Sequence, residues 1–179
     1  MDAKELIMQI EKAFWNVPKP ETSLAQFILT DEKGMAGDIT DEEWFLAKIK
    51  RTDNHWTQLT DQELKDSDCV LAHMQANEFV YYLPAYMRYS VKFISAPIYE
   101  SLIITYVIFH LDPMDELHSL DCYKFSQYKE ITTPQCECII AYLEFISRKG
   151  NDIHAEDAKK ALSSFWSNNP SLTSPIIIP

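Results

Sequence analysis

Residues 75–93 read QANEFVYYLPAYMRYSVKF, and this stretch decides the fold. Phe79, Leu83, Tyr86 and Ser90 recur at steps of three or four, and Tyr82, Tyr86, Tyr89 and Phe93 form a neighbouring line, which is the period of a helix. Pro84 sits inside the run. Its ring removes the N–H that would bond the Val80 carbonyl and clashes with that carbonyl, so the helix is expected to kink or divide near Leu83.

Helical signals continue outward on both sides. Upstream, Thr40-Asp41-Glu42-Glu43 and Thr60-Asp61-Gln62-Glu63 each place a Thr three residues before a Glu, the spacing of a capping box, and predict two helix starts. Trp44, Phe45 and Ile49 supply the apolar face of the first. Leu6, Ile10, Ala13 and Val17, with Ile7 and Phe14 beside them, line an N-terminal helix that Pro18 and Pro20 end. Residues 18–39 hold two prolines and two glycines without a sustained period, and Leu24, Phe27, Ile28 and Leu29 read as a short turn or extended piece. Downstream, Pro97 opens a helix that runs to about His110 and ends at Asp112-Pro113. Residues 112–133 are polar and irregular. Thr132 or Thr133 before Pro134 starts a helix with Cys136, Ile139, Ile140, Leu143 and Ile146 on its inner face. Arg148-Lys149-Gly150 closes it, with Gly150 expected in αL geometry. A last helix from about Asp152 uses Ala158, Ala161, Leu162 and Phe165. Residues 167–179 read as a C-terminal tail in which Ile176 to Ile178 dock as an extended strand or stay disordered. Three glycines in the whole chain, Gly34, Gly37 and Gly150, are too few for the turns of an all-β protein. The expectation is an all-α fold, a single compact domain of about six or seven helices over residues 1–166, one of them kinked at Pro84.

With 179 residues and 46% apolar content, the chain can bury one core without disulfide or metal staples. Sixteen Lys and Arg against 27 Asp and Glu leave a net charge of −11, a field that repels phosphate backbones and anionic lipid. Nucleic-acid and membrane partners are therefore not expected, whereas a basic protein is steered toward such a surface. The N-terminus has no signal-peptide pattern, and the longest apolar tract, Leu102 to Leu111, falls short of the ~20 residues of a membrane-spanning helix. Cys69, Cys122, Cys136 and Cys138 form no CxxC pair and read as reduced thiols, which places the chain in the cytoplasm.

Four groups of residues invite a chemical reading. Tyr81, Tyr82, Tyr86 and Tyr89 bring hydroxyls to the region where Pro84 frees a carbonyl, and Arg88 adds a cation that can pair with a carboxylate. Together they offer a polar pocket or a partner-binding ridge, against the alternative of a core helix with rings inward. His110, Asp112, Asp115 and His118 supply imidazole and carboxylate donors of the kind that hold zinc, iron or manganese, but they match no metal motif and Pro113 interrupts them. No metal and no cofactor is expected. Cys69 and His73, at i and i+4 with Asp68 adjacent, resemble a nucleophile and its base, yet nothing else in the sequence completes them. Cys136 and Cys138 point about 200° apart around a helix and cannot share a ligand. Asp31, Glu32, Asp38, Asp41, Glu42 and Glu43 face Lys33 alone between residues 31 and 43; the EF-hand pattern fails there because Lys33, Met35 and Ala36 stand at its third, fifth and sixth positions. This stretch is either a solvated acidic loop or an electrostatic docking surface, with Asp38, Asp41, Glu42 and Glu43 as its contacts. The common nucleotide-binding, serine-hydrolase and zinc-protease motifs are absent.

At Phe79-Val80-Tyr81-Tyr82-Leu83-Pro84-Ala85-Tyr86 the chain resembles an uncharacterised bacterial family with an aromatic-x-Tyr-Tyr-Leu-Pro-Ala-aromatic signature. The likeness extends to Ile10-Glu11-Lys12-Ala13-Phe14 followed by Pro18 and Pro20, and to Thr133-Pro134-Gln135, so that it spans about residues 6 to 147. Met74-Gln75-Ala76-Asn77 departs from the Leu-Ser/Thr-Pro-Glu that the family tends to carry before the signature. The resemblance implies a helical fold and a bacterial cytosol, and brings no activity or mechanism with it. The functional expectation is an acidic binding or regulatory protein, of immunity or adaptor type, that holds a basic protein partner. The alternative is a small-molecule or metal-dependent enzyme built on the tyrosine segment and His110 to His118.

Overall fold

A computed structural model gives residues 1–97, 102–113, 122–169 and 172. Among these the chain is all-helical, with nine α-helices: α1 (Ala3–Phe14), α2 (Leu24–Lys33), α3 (Asp41–Ile49), α4 (Asp61–Lys65), α5 (Ala76–Lys92), α6 (Ile103–Leu111), α7 (Cys122–Gln127), α8 (Thr133–Lys149) and α9 (Asp152–Ser164). Short 3-10 turns join several of them. None of the described helices is long and apolar enough to cross a membrane.

The helix starts follow from side chains that satisfy the first free backbone N–H groups. Thr40 and Thr60 each exchange hydrogen bonds with the Glu three residues on, as their sequences predict, and Asp2 does the same with Glu5. Two helices exceed the six or seven expected. α2 forms where a turn or extended piece was expected, because Ser23 accepts from the Gln26 N–H while the Gln26 side chain accepts from the Ser23 N–H, a Ser-x-x-Gln capping box. α7 forms inside the segment read as irregular. Its Gln127 side chain donates to the carbonyls of Leu71 and Met74, both at 2.8 Å, which fixes a short helix that its own period does not announce.

α5 is the axis of the molecule. Every residue from Phe79 to Met87 is buried, so the middle of this helix is enclosed all round and has no wet face. It also runs unbroken through Pro84 rather than dividing there. Packing on all sides offsets the missing hydrogen bond. α1 lies on α5 and α8, α6 lies on α5 and α9, and α8 and α9 form an antiparallel hairpin. The turn of that hairpin corrects one expectation. Gly150 has extended geometry, with φ −66° and ψ 166°, and not αL. Glycine is needed there for space, since a Cβ would stand 2.8 Å from the Ile146 carbonyl oxygen and 3.1 Å from the His154 Cβ. Beyond α9, Trp166 is fully buried and donates its indole N–H to the Leu111 carbonyl at 2.6 Å. Asn169 is buried beside it, and Leu172 packs against the core. Residues 173–179 lie outside the described residues.

α2 and α3 form a second, smaller hairpin at the edge of this assembly. α2 packs on the turn Val70–His73, while α3 packs chiefly on α2. Only Ala47 of α3 is buried. Trp44, Phe45, Leu46 and Ile49 are 37%, 61%, 45% and 59% exposed, so the apolar face expected to enter the core points outward instead. The reason is geometric: α3 packs chiefly on α2, which covers only the strip of it through Ala47.

Candidate functional site

The outward face of the α2–α3 hairpin combines acid and apolar groups. Of the acidic residues singled out in the sequence, Glu43 serves the fold. Its carboxylate accepts from the Thr40 N–H at 3.0 Å and the Thr40 hydroxyl at 3.1 Å, and it pairs with Lys33. Those bonds, that with Lys33 foremost, hold the Glu43 carboxyl down at about 2. Asp38, Asp41 and Glu42 are exposed and have no ion-pair partner among the described residues. The structure gathers them at the N-terminal end of α3. Between α2 and α3 runs a groove of about 500 Å³, floored by Ala25, Ile28, Leu29, Leu46 and Ala47, with Glu32, Lys33, Glu43 and Lys50 on its walls. Phe45 and Ile49 stand on the ridge of α3, one turn apart.

The tyrosines of α5 are placed inside the molecule. Tyr81 donates to Asp53 Oδ2 at 2.6 Å, Tyr82 to the Thr22 carbonyl at 2.8 Å, and Tyr86 to the Ser67 carbonyl at 2.6 Å. Burial pushes all three hydroxyls well above the usual tyrosine range. Tyr89 is buried with its ring 4.5 Å from that of Phe93. Arg88 donates to the carbonyls of Thr57 and Leu59 at 3.1 and 3.2 Å and lies over the Trp56 ring, with Glu11 at 4.0 Å. Tyr81 and Arg88 tie the long connector between α3 and α4 to the central helix, while Tyr82 holds the connector before α2 and Tyr86 the turn after α4.

Arg51 and Asp53 are the residues of this network that the sequence did not disclose. Asp53 is almost wholly buried and takes two bonds from Arg51, Nε to Oδ1 at 3.0 Å and Nη2 to Oδ2 at 2.9 Å. The Arg51 Nη1 atom donates in turn to the Pro20 carbonyl. A cavity of about 160 Å³ opens beside the pair, lined by Ser23, Leu24, Thr52, Leu59, Glu63 and Asp66 among others. Because Arg51 is engaged on three sides, it acts as a brace across residues 20 to 53. An Arg and an Asp two residues apart in an aperiodic connector carry no signal that would have separated them from solvated charges.

Cys69 and His73 come together, but through a third group 38 residues upstream of the cysteine. Asp31 of α2 accepts from the Cys69 thiol at 3.3 Å and lies 2.8 Å from His73 Nε2. The carboxylate thus stands between thiol and imidazole. Burial and the Asp31 acceptor push the thiol up to about 11, which keeps it protonated and unreactive at neutral pH. The arrangement pins the end of α2 to the turn Val70–His73. Cys136 and Cys138 are both buried in α8, and with Cys69 they are free thiols.

Of the mixed imidazole and carboxylate segment, Asp115 and His118 lie outside the described residues. His110 is buried, and its carbonyl accepts from Tyr128. Asp112 pairs with Lys160 at 3.2 Å and accepts from the Ser164 hydroxyl. Among the described residues no group of three His, Cys, Asp or Glu side chains is placed to hold a metal ion.

No curated protein and no solved structure matches this sequence. One family model does match, over nearly the whole helical assembly from residue 2 to residue 170, and the chain belongs to that family of unknown function, DUF6714.

Proposed function

We propose that this chain is a binding protein of the bacterial cytoplasm, of immunity or adaptor type, and that the α2–α3 hairpin holds a basic protein partner. The observation that supports this reading is the set of Asp38, Asp41 and Glu42. All three are exposed, Asp41 and Glu42 open α3 while Asp38 lies three residues before it, and they have no ion-pair partner among the described residues. Carboxylates committed to the fold, such as Glu43, Asp53 and Asp31, do not serve a partner; these three are available to one. A net charge of −11 adds long-range attraction for a basic protein, and with it a faster encounter. The competing enzymatic reading gains little, because the hydroxyls of Tyr81, Tyr82 and Tyr86 are bonded within the fold.

The test is capture from the native host with the intact chain at low and at high salt. A stoichiometric basic protein is expected at low salt and lost at high salt, and lost again with the combined variant Asp38→Asn, Asp41→Asn, Glu42→Gln. Equal capture by the variant and the unaltered chain would overturn the reading.

A further inference from the structure

Resting on that reading of the hairpin, we propose that the docked element is a basic amphipathic helix. Its apolar side lies along Phe45 and Ile49 of α3, and its cations meet Asp38, Asp41 and Glu42.

The form of the ligand follows from what α3 offers. Its backbone is bonded within the helix, so an extended strand finds no edge to join. Its side chains instead make a ridge, with Phe45 and Ile49 at i and i+4, 61% and 59% exposed, and Leu46 opening onto the groove toward α2. A nine-residue helix presents roughly 13 Å of such ridge, the length over which a second helix sets two or three apolar anchors at i, i+3 or i+4, and i+7. The floor of the groove, from Ala25 to Leu29 on α2, widens the surface on one side of that ridge.

The charge of the ligand follows from which nearby charges are already engaged. Lys33 pairs with Glu43, and Lys48 lies 3.5 Å from Glu21. Lys50 has no ion pair among the described residues, but it lines the groove at the far end of α3. The field left over at the ridge is therefore acidic and concentrated at the N-terminal end of α3. A second copy of this chain would bring the same three carboxylates and a net charge of −11 against their counterparts, so self-pairing is opposed. A helix with Leu or Phe along one side and Lys or Arg flanking it matches both features.

The test uses the full chain and three fluorescent peptides of about 18 residues, long enough for a helix to form on binding. One is a Leu/Lys sequence with Leu at helical spacing, the second has the same composition scrambled, and the third is its Leu/Glu counterpart. Anisotropy is expected to show the amphipathic Leu/Lys peptide bound at least ~10-fold more tightly than the scramble. Phe45→Ser and Ile49→Ser are each expected to weaken it by ~10-fold or more at every salt concentration. Asp41→Asn with Glu42→Gln is expected to weaken it chiefly at low salt. Both serine positions are exposed, so these variants keep the fold, which circular dichroism checks. If the scramble binds equally and the serine variants bind like the unaltered chain, the helix proposal falls while the acidic surface stands. If the Leu/Glu peptide binds as well as the Leu/Lys peptide, charge selects nothing and both readings fall. If none of the three peptides binds, the helix proposal falls, and the capture experiment alone decides the acidic surface. A dimer in sedimentation that Phe45→Ser abolishes would show that a second copy covers the ridge, and would overturn the helix proposal.

Discussion

Asp53 shows at the scale of one residue how a buried charge is made tolerable. Two bonds from Arg51 and one from Tyr81 replace the water it has lost. Asp53→Asn leaves Arg51 buried with its charge unmatched, and chemical denaturation is expected to show a loss of about 3–5 kcal/mol. Tyr81→Phe removes one bond to the same carboxylate and is expected to cost about 1.5–3 kcal/mol. Cys69 makes a different point. With its thiol raised from 9.0 to about 11, roughly a hundredfold less thiolate is present near neutral pH than for an ordinary cysteine. Alkylation of Cys69 is therefore expected to lag far behind that of a free thiol, and Asp31→Asn is expected to speed it several-fold; an unchanged rate would contradict the assigned contact. The pair Cys69 and His73 was legible from its spacing, but Asp31 was not, because a contact across 38 residues leaves no local pattern.

Elements were more legible than sites. The capping boxes at Thr40 and Thr60 fix helix starts through residues three apart, and such short-range chemistry is written in the sequence. α2 has the same device in Ser23 and Gln26, and its neighbours Pro20 and Gly34 obscured it. Ser23 also donates to the Ala47 carbonyl at 3.2 Å, so it joins both arms of the small hairpin. Ser23→Ala is expected to cost about 1–2 kcal/mol, more than an exposed cap, by loss of that second bond. The apolar residues of α3 were visible, but their side was not. Periodicity marks a face without saying what covers it, and here α2 covers only the strip through Ala47. The carboxyl of Glu43, depressed from 4.5 to about 2, gives α3 a pH signature. Its contribution is complete above about pH 4.5 and is lost as the pH falls toward 2, because the unfolded chain takes up the proton first. Protection of the α3 amides, taken relative to the intrinsic exchange rate at each pH, is expected to fall across that window, and Glu43→Gln is expected to flatten the change.

For the whole molecule the two hairpins differ in depth. α5, α6 and α8 hold most of the core, while α3 buries one residue and leans on α2. Hydrogen exchange is expected to rank α5 and α8 as most protected and α3 as least; protection of α3 equal to that of α5 would contradict its marginal packing. The all-α class was readable from glycine scarcity and helical period. The central position of α5, with its middle turns enclosed, was less so, because its tyrosines carry polar hydroxyls whose distant bonding partners leave no local pattern.

The placement of the four tryptophans has an optical consequence. Trp56 and Trp166 are sealed from solvent, Trp15 is 57% exposed just past the end of α1, and Trp44 is 37% exposed on α3. Emission from the chain is thus a sum of a blue, unquenchable pair and a red, quenchable pair. Replacing Trp15 with Phe leaves a single accessible indole, on the helix proposed to hold a partner. A ligand that also reaches the flank of α3 carrying Trp44, about 100° around the helix from Phe45, shields that indole from acrylamide and shifts its emission to shorter wavelength, so such occupancy can be followed by light without attaching any label.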